Sequence, residues 1–183
     1  FSIITPPGSR NRISIATRIS QSGFKRTLIE MPLQSRVEVG PVAGRFTLPE
    51  DSGQPLIFIA GGIGITPFLC MLRYTKEQNK KYSITLLYSN HDQASTAFLQ
   101  ELVGFTKEIP NFRLVVSMTQ DQSWQGEKRR IDPLMIKEYA PDLFKPLYYV
   151  VGPPVMTDAI GKALAELQIP LGNIKRENFA GYQ

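Results

Sequence analysis

At 183 residues the chain is long enough for one large domain or two small ones, and its 42% hydrophobic content is ordinary for a soluble globular protein. Its apolar runs fall short of the roughly 20 residues that a membrane-spanning helix needs, and no signal peptide stands at Phe1, so the expectation is a soluble, cytoplasmic protein with no membrane insertion. A single cysteine, Cys70, excludes an internal disulfide and a cysteine-ligated iron–sulfur cluster held by this chain alone, and a single histidine, His91, excludes a multi-histidine metal site; no metal is expected.

The net charge of +5 is unevenly spread. Residues 1–50 hold 7 Lys/Arg against 3 Asp/Glu, while residues 51–183 hold 14 against 13. The N-terminal basic residues are scattered through strand-like segments rather than clustered with aromatics, which points away from nucleic acid and towards an anionic cofactor or an acidic protein partner.

Residues 1–48 read as β structure. Ile13, Ile15 and Ile19 lie in a strand-like run after the turn Pro6-Pro7-Gly8, Arg36–Val39 alternates charge with valine, and Gly40-Pro41 and Gly44 punctuate the stretch up to Leu48. Short strands with frequent turns indicate a small barrel or sandwich. About 50 residues is thin for an independent core, and the chain starts inside a strand-like segment, so further sequence before Phe1 is expected.

A boundary falls in Leu48–Gln54, giving two parts, 1–50 and 51–183. Beyond it strands alternate with helices. Strands are expected at 56–60, 83–88, 112–117, 148–152 and 174–177, and helices near 66–77, 93–107, 133–139 and 154–167, with Ala94, Ala97, Phe98, Leu102 and Phe105 forming the apolar face of the second. Right-handed crossovers make this a parallel sheet with helices on both faces, whose ligand contacts come from the loops at the carboxyl edge of the strands.

The stretch LIFIAGGIGITPFLCML at 56–72 organises that sheet. Buried strand, glycine turn and helix, in that order, bring unsatisfied backbone N–H groups and the positive end of a helix dipole to one point, as a phosphate requires. Gly61, Gly62 and Gly64 let the backbone bend and approach a ligand; Thr66 is expected to cap the helix and Pro67 to open it. Cys70 falls on the apolar face of that helix and reads as an inert, buried thiol.

Five segments occurring in one order then carry a resemblance: FSI at 1–3 with GPVAGRFTLP at 40–49, GGIGITP at 61–67, LYSN at 87–90, VGPPVM at 151–156 and ENFAGY at 177–182. Along its whole length the chain resembles the ferredoxin–NADP reductase superfamily of flavoprotein oxidoreductases. The resemblance implies an α/β fold with a five-stranded parallel Rossmann-like NAD(P)-binding domain at 51–183, preceded at 1–50 by the C-terminal part of an antiparallel β-barrel that binds FAD. Electrons would pass from NADPH or NADH through FAD to a redox protein such as ferredoxin, flavodoxin or an oxygenase component.

By that resemblance Phe1 packs on the isoalloxazine and the Ser2 hydroxyl bonds near flavin N5, while the arginine of the same motif would precede Phe1. Ile15, Ala16, Thr17 and Arg18 line the flavin through their backbone, and Phe24, Lys25 and Arg26 meet its phosphates at a short helix start. Gly61, Gly62, Gly64, Ile65, Thr66 and Pro67 take the nicotinamide nucleotide's pyrophosphate. Gly152, Pro153, Pro154 and Met156 form the loop under the nicotinamide, with Val151 where relatives carry cysteine. Phe179 covers the flavin beside Glu177. Ser89, Asn90, His91 and Arg130, with Lys128 and Arg129, choose between NADPH and NADH, with a lean to NADPH. Ser2, Thr66 and Phe179 are the catalytic positions, all of them orienting groups, because hydride transfer asks the protein mainly to hold two rings together. Two other readings stand beside this one: a nucleotide-binding sensor without flavin, and the reductase part of a larger oxygenase or nitric-oxide-detoxifying protein.

Overall fold

A run of apolar residues without charge folds as a strand that sheet and helices cover on every side. In the computed structural model, which describes residues 1–9, 11–20, 22–51 and 53–179, every residue of β1 (Leu56–Gly61) is buried. Around it lie β2 (Ile84–Asn90), β3 (Phe112–Met118), β4 (Leu147–Gly152) and β5 (Ile174–Asn178), all parallel, in the order β3-β2-β1-β4-β5. The register sets Gly61 beside Ser89 and Gly152 beside Asn178, so the carboxyl ends of the strands form one mouth.

Each face has its own core. Helices α2 (Thr66–Glu77) and α3 (Leu99–Glu108) pack with Leu56, Phe58, Tyr88 and Tyr149, where Phe58 and Phe68 stack at 4.5 Å. Helices α4 (Pro133–Tyr139) and α5 (Pro154–Glu166) cover Ile57, Ile59, Leu87 and Val150 on the other face. The α4 start follows its sequence: Asp132 Oδ1 accepts the Met135 N–H at 2.7 Å and Pro133 fills the first helical position.

The structure departs from expectation in three places. The second long helix begins at Leu99 rather than 93, because the Asp92 carboxylate takes the Ser95 N–H at 2.7 Å and the Thr96 hydroxyl donates to the Asp92 carbonyl at 2.6 Å. This side-chain-held turn competes with the helix and ends at Phe98, whose φ of 59° is left-handed. Thr66 is not an N-cap: a 3₁₀ turn, Gly62–Ile65, precedes α2, and Thr66 is already helical, its hydroxyl donating to the Ile63 carbonyl at 3.1 Å.

The third concerns residues 1–48, where β structure is expected. Their described residues form no strand, only the antiparallel bridge Ile3–Ile15 and helix α1 (Gly23–Glu30). A strand needs a neighbour, and the alternating side chains of this part, Ile13, Ile19, Val37, Val39 and Val42 among them, are exposed. Contacts to the sheet half hold it instead. Arg73 Nη1 donates to the Ile4 carbonyl at 2.8 Å, Cys70 Sγ–H to that of Thr5 at 3.2 Å, and the Tyr82 and Tyr149 hydroxyls to those of Pro49 and Thr47 at 2.7 and 2.8 Å. Cys70 is half-buried rather than buried as expected, and that partial burial pushes its thiol above its ordinary pKa.

Candidate functional site

The mouth is narrowest where β1 and β4 end, and there glycine is needed for packing. A Cβ on Gly64 would lie 2.6 Å from the Val151 carbonyl oxygen, and one on Gly61 would overlap Met156 Sδ. These two glycines let the turn nest on β4. Gly62 is the one that faces outward. Its φ is +53°, and a Cβ there would meet the Arg18 guanidinium at 3.3 Å.

The Arg18 guanidinium therefore reaches the glycine turn after β1, a placement beyond the backbone contact with flavin expected of Arg18. It donates to the Ser95 carbonyl at 2.9 Å, bridging the N-terminal part, the turn after β1 and the turn after β2. The Tyr88 hydroxyl lies under the same point, shared between the carbonyls of Gly62 at 3.0 Å and Ala97 at 3.2 Å, and burial pushes its pKa to about 12. Sequence separation hides this assembly: Arg18 and Ser95 stand 77 positions apart, and no motif links them.

Next to Tyr88, Asn90 ends β2. Its carboxamide is the side chain among the described residues with buried polar atoms and no hydrogen-bond partner, and it stands beside the Tyr88 hydroxyl without bonding geometry. A buried amide without partners costs on the order of 1–3 kcal/mol, which a polar ligand or water would relieve. Ser89 is half-buried and His91 exposed. The loops after β2 and β3 are laced together, Thr119 N–H to the Asn90 carbonyl at 2.9 Å and Gln120 N–H to that of His91 at 2.8 Å.

The basic run beyond β3 divides. Arg129 is paired with both Glu127 and Glu138, at 2.6 and 2.9 Å, and its bonds to Glu127 hold that carboxyl at about 2. The Lys128 ammonium donates to the Gln122 carbonyl at 2.7 Å. Arg130 is exposed and makes no hydrogen bond or ion pair among the described residues.

On the other flank, the Phe179 N–H bonds to the Gly152 carbonyl at 2.9 Å. The half-buried ring packs on the cluster that contains Val151 and that Ala16 also joins. A Cβ on Gly152 would meet Gly61 Cα at 3.4 Å, so Gly152 is the residue that stands between Phe179 and the start of the turn at Gly61. Val151 is fully buried; Pro153 and Pro154 are exposed and Met156 half-buried. Ala180, Gly181 and Tyr182 of the ENFAGY segment lie outside the described residues.

The residues matched to flavin lie on the N-terminal part. Phe1 stacks on Phe24 at 5.3 Å with 26° between the planes, both rings exposed, while Ser2, Ala16 and Thr17 are half-buried and Ile15 is 39% exposed. Ser22 caps α1, its hydroxyl accepting the Lys25 N–H at 3.3 Å. Lys25 and Arg26 thus add positive charge to the positive end of a helix, an arrangement that favours an anion in front of it. Aromatic plates, a cationic helix start and the glycine turn are compatible with a ring-bearing, phosphate-bearing cofactor and a second nucleotide across the mouth.

Comparison with known proteins gives the family and the fold. Residues 58–162 match the family described as "Oxidoreductase NAD-binding domain". The chain is 29% identical to the anthranilate 1,2-dioxygenase electron transfer component of Acinetobacter baylyi, over 98% of this chain and 52% of that protein. Among solved structures, the Amycolatopsis cytochrome P450 reductase GcoB superposes with a TM-score of 0.64 at 27% identity, covering 76% of this chain and 42% of that one. A ferredoxin NADP+ reductase from Neisseria gonorrhoeae with bound FAD and NADP superposes with a TM-score of 0.67 at 20% identity, covering 87% and 71%; it shares the fold. The chain spans about half the length of the curated relatives it matches.

Proposed function

Because the chain belongs to the oxidoreductase NAD-binding domain family, within the ferredoxin–NADP reductase superfamily, we propose that it moves electrons from NADPH or NADH through FAD to a protein acceptor of the oxygenase type. The observation that carries this reading is the Arg18 guanidinium beside Gly62. A cation from the flavin-side segment stands at the phosphate turn of the nucleotide domain, so one dinucleotide would touch both parts of the chain.

In this reading residues 1–50 are the flavin side and 51–183 the nucleotide domain. Phe1, Ser2 and the backbone from Ile15 to Arg18 face the flavin rings, and Phe24, Lys25 and Arg26 its phosphates. The turn from Gly61 to Pro67, with Arg18, holds the nucleotide's pyrophosphate; Asn90, His91 and Arg130 face its adenosine end, and Gly152 to Met156 its nicotinamide end. FAD, when bound, supplies the ring that accepts hydride and gives up electrons one at a time. Thr66 and Phe179 set where the nicotinamide can lie, and closing the rings together excludes water.

An open groove of about 320 Å³ bounded by Arg45, Phe46, Lys175, Arg176 and Glu177 lies along the strand that leads to Phe179. Its basic rim fits an acidic electron acceptor and not the lining of a deep substrate pocket. Reconstitution with FAD decides the matter. Yellow absorbance that bleaches on adding NADPH or NADH, and returns with a one-electron acceptor, is the expected result; a colourless protein that still binds nucleotide would make it a sensor module instead.

A further inference from the structure

If Phe179 covers the place of the nicotinamide, its ring must give way on binding, and how it does so is set by the way its backbone is held. Three contacts pin the strand that leads into it. The Phe179 N–H is bonded to the Gly152 carbonyl at 2.9 Å. One residue earlier, the Asn178 carboxamide oxygen accepts the Thr157 hydroxyl at 2.6 Å, with the Pro154 carbonyl 3.0 Å from the same hydroxyl. Two residues before that, Arg176 Nη1 crosses Gly161, where a Cβ would meet it at 3.0 Å, and donates to the Thr157 carbonyl at 3.3 Å and Asp158 at 3.1 Å.

Thr157 is thus the point at which α5 grips β5 from both sides, and it is fully buried. Within the helix its hydroxyl meets the Pro154 carbonyl at 3.0 Å, but the shorter bond, at 2.6 Å, is the one that leaves the helix for Asn178. We propose that Thr157 is a positioning residue for the Phe179 lid. By holding Asn178 it keeps the backbone of Phe179 fixed, so the ring opens by rotating about its own side-chain bonds and returns to the slot once the nucleotide leaves. The strand does not peel away. This deepens the flavin-and-nucleotide reading above and rests on it.

The chemistry of the clamp makes the test selective. A Thr157→Val variant keeps the shape of the buried side chain and removes only the hydroxyl, while Asn178, which is exposed, can turn to water. The lid competes with the nicotinamide alone, so loosening it alters binding of a whole dinucleotide and leaves binding of the adenosine half untouched. Calorimetric titration of the whole chain with NADP+ and NAD+, and in parallel with 2′,5′-ADP and ADP, separates the two. Phe179→Ala sets the scale by removing the lid outright, and tighter dinucleotide binding is expected. Thr157→Val should tighten dinucleotide binding roughly fivefold, the equivalent of one ordinary hydrogen bond, with the ADP compounds unchanged, and Thr157→Ser should match the unsubstituted protein.

Unchanged dinucleotide binding in Thr157→Val, alongside tighter binding in Phe179→Ala, would overturn the clamp and leave the lid standing. Equal weakening for ADP and dinucleotide, or a serine variant that behaves like valine, would also overturn it by reducing Thr157 to a packing role. A Phe179→Ala variant with no effect would remove the lid, and the clamp with it.

Discussion

The sheet half of the chain satisfies its backbone internally, whereas the N-terminal part is held from outside. From Leu56 to Asn178 the strands pair with one another over five to seven residues each. In the N-terminal part the carbonyls of Ile4, Thr5, Pro49 and Thr47 rest on side chains of the other half, Arg73, Cys70, Tyr82 and Tyr149. The sheet half therefore dictates where the residues of the N-terminal part stand, and damage to the two should look different. Damage to the sheet should unfold everything; damage to the supports should release the N-terminal part alone.

The sharpest way to break the sheet is at Gly64. A methyl there meets the backbone oxygen of Val151, which cannot turn aside as the Met156 side chain opposite Gly61 can. Gly64→Ala should cost about 3 kcal/mol, lowering the melting temperature by roughly 6 to 12 °C in a chain of this size. Differential scanning calorimetry should show one transition, moved as a whole. Gly61→Ala should cost less.

Removing a support should do the reverse. Arg73 makes a bidentate pair with Glu101, at 2.8 and 2.9 Å, and its remaining arm holds the Ile4 carbonyl. Both partners of the pair are partly exposed, at 25% and 33% of their side chains, so most of the effect belongs to the bond with Ile4. Arg73→Met should cost about 1 to 2 kcal/mol. Amide exchange should rise sharply at Ile4 and its neighbours while β1 and β2 keep their protection; uniform loss of protection would show that the two parts are one cooperative unit.

The same division governs what could be read in the sequence. The strands were legible because burial on both faces leaves an uninterrupted apolar run, as at Leu56–Ala60, and the α4 start because Asp132-Pro133 is a local signal with a local cause. Local signals failed where a side chain offered the backbone a rival partner. Asp92 captured Ser95 and Thr96 and delayed α3 to Leu99, and the 3₁₀ turn before Thr66 took over the capping role expected of its hydroxyl. In the N-terminal part, alternation at Val37 and Val39 announces a strand but cannot supply the neighbour it would pair with. The charge of Arg18 at the glycine turn depends on three distant segments meeting, which no spacing encodes.

Arg18 offers the next test, smaller and confined to the mouth. It is exposed and its loss leaves the core intact, so Arg18→Ala should hardly shift the melting temperature. Affinity for either dinucleotide should fall roughly tenfold, as expected for one charge-assisted phosphate contact, and the dependence of binding on salt should flatten. An unchanged affinity would leave the guanidinium with Ser95 as its sole task and separate the two parts functionally.

The smallest effect belongs to the far rim of the sheet half, where Glu127 stands against Arg129. Its carboxylate accepts Arg129 Nε at 2.9 Å, Nη2 at 2.6 Å and the Lys128 and Arg129 N–H groups at 3.0 Å each, which holds it at about 2 in the folded chain. Since the folded value lies below that of an unfolded glutamate, the stabilisation is present above the ordinary carboxylate range and is lost as the pH falls towards 2. Exchange of the Lys128 and Arg129 amides should be level above about pH 5 and quicken below it, relative to β1 amides in the same sample. Glu127→Gln should abolish that acid limb, and it should also release part of Arg129, which stays paired with Glu138. NADP+ should then gain on NAD+ by roughly twofold, the worth of one partly screened surface charge. No gain would place the 2′-phosphate out of reach of Arg129 and leave Arg130 as its partner in that loop.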